Sequence, residues 1–163
     1  NENYWIYNSS FKKGKTNLVS HLLKLMKSNK EEEVWEKISK FLDKNRVIEI
    51  VLPTMKGNAF AVDEIDNTSV TIKSLSSEKI IKIEKRCFAS IYHFLKEKES
   101  EWIRIADNVN ATDPSSVEGR IRQENDGNAR GISSALLVSA ILVKVFNNIE
   151  LDGKSHEQSI RMK

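Results

Sequence analysis

Gly14-Lys15-Thr16 stands between an aromatic segment, Tyr4-Trp5-Ile6-Tyr7, and an apolar-striped helix. It has the ending of a phosphate-binding loop, whose backbone amides wrap the phosphates while the lysine reaches their outer oxygens. The complete loop also needs glycine five positions before Gly14, so that the backbone can come close. Ser9 occupies that place. What remains is a lysine-rich loop over residues 8–15.

Metal-dependent phosphodiester cleavage needs an acid on one strand and an acid-x-lysine on the next, to hold the ion and orient water. Asp63, Glu64 and Asp66 could supply the first part, but the neighbouring Val70-Thr71-Ile72-Lys73 has no acid at the needed place. Asp152-Gly153-Lys154 has the spacing and falls in a turn. His21, His93 and His156 lie in three distant segments, none with a second histidine or cysteine at metal-ligand spacing. Cys87 opens the apolar stripe of a helix and reads as core. The Gly-x-Ser-x-Gly turn that exposes a nucleophilic serine does not occur. No catalytic residue, metal ligand or cofactor is assigned, and the chain reads as non-catalytic.

The elements follow from periodicity. Tyr4-Trp5-Ile6-Tyr7 has strand composition. Leu18, Val19, Leu22, Leu23 and Met26 then share one helical face. Ser28-Asn29-Lys30-Glu31 matches a capping box, and Glu31, Glu32 and Glu33 suit the positive end of a helix. A second helix therefore starts there, with Val34, Ile38, Phe41 and Leu42 facing inward and an end near Asn45. Alternation replaces helical spacing over residues 47–52, 59–65, 69–74 and 79–83. With turns at Gly57-Asn58 and Asp66-Asn67, these make a small antiparallel meander.

Cys87, Phe88, Ile91, Tyr92 and Leu95 return to helical spacing, whereas residues 102–109 fit helix or strand equally. Asp113-Pro114 opens another helix, pinned inward by Val117 and Ile121. Residues 134–147 are apolar at ten of fourteen positions, the mark of a helix buried on most sides. Residues 149–151 and 159–162 form a hairpin around Asp152-Gly153. The chain is thus α+β, in three stretches (1–45, 46–85 and 86–163) that form one unit.

A net charge of +3 is too small to argue for nucleic acid, but residues 1–30 hold six lysines against one acid. Lys24, Lys27 and Lys30 fall off the apolar stripe and read first as a solvated face, with a phosphate-binding face as the alternative. The candidate phosphate contacts are Lys12, Lys13 and Lys15 beside Gly14, then Arg120, Arg122 and Arg130 around the loop before the apolar helix, and Lys154 and Arg161 in the hairpin. A single cysteine excludes an internal disulfide and a cysteine-rich zinc site. The first ten residues lack a signal-peptide pattern, and the longest uncharged stretch is thirteen residues, short of the roughly 20 that span a bilayer. A cytoplasmic chain with no membrane partner is expected.

From residue 87 on, the order is helix, short segment, helix, loop, helix, hairpin. That order suits a winged helix, in which one helix and the wing touch DNA. Residues 35–42, the meander over 47–83, and residues 88–95, 101–105 and 133–142 together resemble accessory domains of bacterial restriction endonucleases and related mobile-element proteins. The likeness covers about residues 33–163. It implies a DNA-binding or target-recognition module with cleavage residing elsewhere, and double-stranded DNA and a nuclease subunit or domain as partners. The last helix offers Ser139, Lys144 and Asn147 as polar side chains in its interior and end, where base readout needs several long donors on one face. Balanced charge and that apolar helix suit, as the alternative, a protein interaction or assembly domain, including a homo-oligomer.

Overall fold

Residues 3–44 contain no proline and a single glycine, so nothing in them forces a helix to stop. The structure is a computed structural model that describes residues 3–49, 59–105, 113–124, 132–152 and 158–163. The whole first stretch is one helix, α1 (Asn3–Lys44), with side chains described from Asn17 onward. Helix therefore replaces the strand expected at Tyr4-Trp5-Ile6-Tyr7, the loop over residues 8–15 and the break at Ser28. Strand propensity depends on having a sheet to join, and serine or asparagine inside an exposed helix costs only about 0.5 kcal/mol. The two stripes read as two helices because they face different ways. At about 100° per residue, Leu22 and Ile38 lie roughly 160° apart around one axis.

Only the second stripe is packed. Val34, Trp35, Ile38 and Leu42 are buried, with the Trp35 ring 5.9 Å from that of Phe88. Lys85 ties this half of α1 to the next helix through Glu31 and Glu32.

The meander follows in chain order: β1 (Val47–Glu49), β2 (Ala59–Ile65), β3 (Ser69–Ser74) and β4 (Ile80–Glu84), each antiparallel to its neighbour. Alternation does what the sequence implies: Ile48, Phe60, Val62, Val70, Ile72, Ile81 and Ile83 are buried. The rest of the first predicted strand and the Gly57-Asn58 turn lie outside the described residues. Asp66 organises the β2–β3 turn by accepting from the Thr68 hydroxyl and amide at 2.7 and 2.6 Å and from the Ser69 amide at 2.8 Å. These donors hold its carboxyl far below the usual carboxylate range. This acid, weighed above as a metal ligand, is occupied with the turn.

The chain then forms α2 (Lys85–Glu97), β5 (Ile103–Arg104), α3 (Val117–Glu124), α4 (Ile132–Val145), β6 (Ile149–Asp152) and β7 (Ser159–Met162). The ambiguous segment after Ser100 is a strand where Ile103 pairs with Ile160. The second sheet has the order β5-β7-β6, so the first strand closes on the last. Helix, strand, two helices and a returning hairpin give the winged-helix-like order. α4 packs against α1, α2, α3 and β6, and residues 134–142 are all buried. One hydrophobic core runs from Val34 to Met162.

Candidate functional site

α3 starts where the chain is tightest. A Cβ on Gly119 would lie 1.8 Å from the Asp113 carbonyl oxygen, so the turn and the helix meet only over a glycine. Asp113, the expected cap, instead shapes the turn, accepting from the Ser115 amide at 2.9 Å and its hydroxyl at 2.7 Å. Those bonds hold its carboxyl below the usual range. Ser116 is the residue that caps α3, its Oγ accepting from the Gly119 amide at 3.0 Å.

This geometry sets the two arginines of α3. The Arg120 guanidinium lies 3.7 Å from the Phe94 ring centroid, and its Nε donates to the Pro114 carbonyl at 3.1 Å. Arg122 donates to Glu118 at 2.8 Å, and Glu118 is only 3% exposed. In the hairpin, Arg161 Nε donates to Glu150 at 2.6 Å while its guanidinium covers the Trp102 ring at 4.3 Å. Lys163 reaches the same carboxylate at 3.2 Å, and the two donors lower its pKa, Arg161 more than Lys163.

Of the expected phosphate contacts, the structure describes the side chains of Arg120, Arg122 and Arg161. Arg120, Arg122 and Arg161 are each engaged by the protein itself, stacked on a ring or paired with a carboxylate. Lys12, Lys13 and Lys15 lie on α1, where Gly14 is helical and opens no loop. Arg130 and Lys154 lie outside the described residues. α4, the helix that the winged-helix expectation assigned to DNA reading, is covered: between residues 134 and 146, Lys144 is the single exposed residue. Its burial was legible in its apolar composition.

The sequence did not reveal what is exposed instead. Residues 17–30 of α1 are exposed all round. They carry Leu18, Val19, Leu22, Leu23, Leu25 and Met26 at 48–61% exposure. The signal was present in the 160° turn between the two stripes, and it speaks only once the helix is known to be continuous. Leu23 and Met26 also wall a groove of about 350 Å³ against Ala89 and Phe94 of α2 and Arg120 of α3.

His93 borders this groove and a second one of about 380 Å³, where Lys30, Lys37, Tyr92 and Phe146 also stand. Its Nε2 is buried with no hydrogen-bond partner among the described residues. Cys87 is fully buried, and burial, with help from Glu84 and Glu124, pushes its thiol up to about 12. It is a protonated core side chain at neutral pH. Among the described residues, no helix is long and apolar enough to cross a membrane.

Comparison with models of protein families, with curated proteins and with solved structures finds no match to this chain.

Proposed function

We propose that this chain is a protein-interaction or assembly module in which a winged-helix-like body carries a long docking helix. One observation carries the reading: α1 presents six large apolar side chains to water over residues 18–26. Contiguous exposed apolar surface of this kind marks interaction sites. The covered α4 and the engaged arginines of α3 and β7 support the same reading, because they remove the groups that DNA readout would use. Light scattering beside a titration with duplex DNA tests it. An oligomer indifferent to duplex at low salt is the expected result, and salt-sensitive duplex binding by a monomer overturns it.

The second reading is a DNA-binding accessory module of a restriction or mobile-element system. The lysine excess of residues 1–30 and the winged-helix-like order favour it. Under this reading, Lys12→Ala, Lys13→Ala and Lys15→Ala together lower the slope of affinity against salt by about 2–3.

A further inference from the structure

We infer that the groove walled by α1, α2 and α3 binds a small monocarboxylate with an apolar body, its carboxylate held by Arg120. Ligand sites are concave and mostly apolar, with a few placed polar groups that fix orientation. Here Leu23 and Met26 of α1 and Ala89 and Phe94 of α2 supply the apolar wall, and Arg120 of α3 supplies the polar group. A volume of about 350 Å³ falls at the small end of such sites, which run from roughly 300 to 1,000 Å³.

Arg120 is prepared for a carboxylate by what holds it. Its guanidinium carbon sits 3.7 Å from the centroid of the Phe94 ring, and its Nε donates to the Pro114 carbonyl at 3.1 Å. These contacts fix the fork while using one of its five N–H donors. The four donors on its Nη nitrogens have no acceptor among the described residues, and neither nitrogen is closed off from solvent. A planar fork of this kind matches a carboxylate with two parallel hydrogen bonds.

Charge sets the valence of the ligand. Arg86 is committed to Glu84 at 2.6 Å, and Glu31 faces Lys85 at 3.9 Å. Around the groove that leaves Lys27, Lys30 and Arg120 against Glu97 and Glu124, three cations to two acids. One surplus positive charge suits a monoanion. A phosphate dianion exceeds it and meets both acids, and an ammonium head meets the Arg120 fork. The body of the ligand lies against Leu23 and Met26, which are 61% and 57% exposed, and takes their apolar surface out of water.

Titration of the whole chain with octanoate, followed by NMR at the Arg120 Nε–H and the Met26 methyl group, tests the assignment. Saturable binding that shifts both signals is expected, while butanoate and octylammonium leave them in place. Arg120→Lys keeps the charge and loses the fork, and should raise the dissociation constant about tenfold. Leu23→Gln alters an exposed side chain, leaves the cooperative melt unchanged, and should raise the constant about threefold.

Signals that stay in place at millimolar octanoate overturn the site. Octylammonium binding as well as octanoate, or an unchanged constant in Arg120→Lys, overturns the role of the fork. An unchanged constant in Leu23→Gln overturns the apolar body, and tighter binding of octyl phosphate overturns the monoanion. The site does not rest on the assembly reading, which light scattering and the duplex titration decide whatever octanoate does.

Discussion

Residues 134–142 of α4 and 18–26 of α1 are nine-residue runs rich in leucine and valine, and they meet opposite fates. The first is buried at every position and the second at none. α4 has no polar face worth hydrating, so neighbours on all sides suit it: α1, α2, α3 and β6 surround it. α1 has two apolar faces that point about 160° apart. Packing Trp35 and Ile38 against the body turns Leu22 away from it. Apolar content is therefore a poor guide to burial. The phase of the stripe along a continuous helix decides.

The largest effect expected from this contrast is in α4. Leu137→Ala removes a fully buried side chain from a helix that is covered all round, and should cost about 3 kcal/mol in urea unfolding at low protein concentration. A loss below about 1 kcal/mol would mean that α4 is not the packed centre. Next comes the glycine at which α3 meets the turn before it. Gly119→Ala drives a methyl group into the Asp113 carbonyl, a backbone atom that cannot swing aside. About 2 kcal/mol should be lost, visible as a lower melting temperature.

Much of the body was legible because its elements are short and each buries one regular face. Three of the four meander strands and α2, α3, α4 and the final hairpin fall where alternation or helical spacing puts them. The alternating Val70 and Ile72, or the stripe from Cys87 to Leu95, can be satisfied only one way. α1 was misread because local signals at Ser28 and Gly14 are worth tenths of a kcal/mol to about 1 kcal/mol, while docking residues 34–42 is worth more. The surroundings of the three described arginines were hidden for a different reason. Sequence shows that Arg120, Arg122 and Arg161 are charged, but not that Phe94, Glu118 and Trp102 are already beneath or beside them. Those partners are 4 to 59 positions away, and only the fold brings them together.

Arg122 sharpens the contrast between buried and exposed groups with a charge instead of a methyl. Its removal strands Glu118, which is 3% exposed, with a carboxylate oxygen that already lacks a partner among the described residues. Arg122 itself is one-third exposed, so water offsets part of the loss. Arg122→Ala should lower stability by about 1–2 kcal/mol. Arg122→Ala together with Glu118→Gln should recover a part of it, since the neutral amide needs no cation. If the double variant is no better than the single one, the guanidinium acts through packing and not through charge.

The smallest effect belongs to the stripe itself. In dilute solution, Leu18→Gln and Met26→Gln change side chains that are more than half exposed. Glutamine forms helix about as well as leucine and methionine, so neither propensity nor packing penalises the change. Each variant should unfold within about 0.5 kcal/mol of the parent. Under the assembly reading, the same substitutions should weaken association at high concentration. Stability and association thus part company at residues 18–26, whereas in α4 any change must alter the fold first. A dilute-solution loss above 1 kcal/mol for Leu18→Gln would show that the stripe packs within its own chain, and would remove the contrast between the two helices.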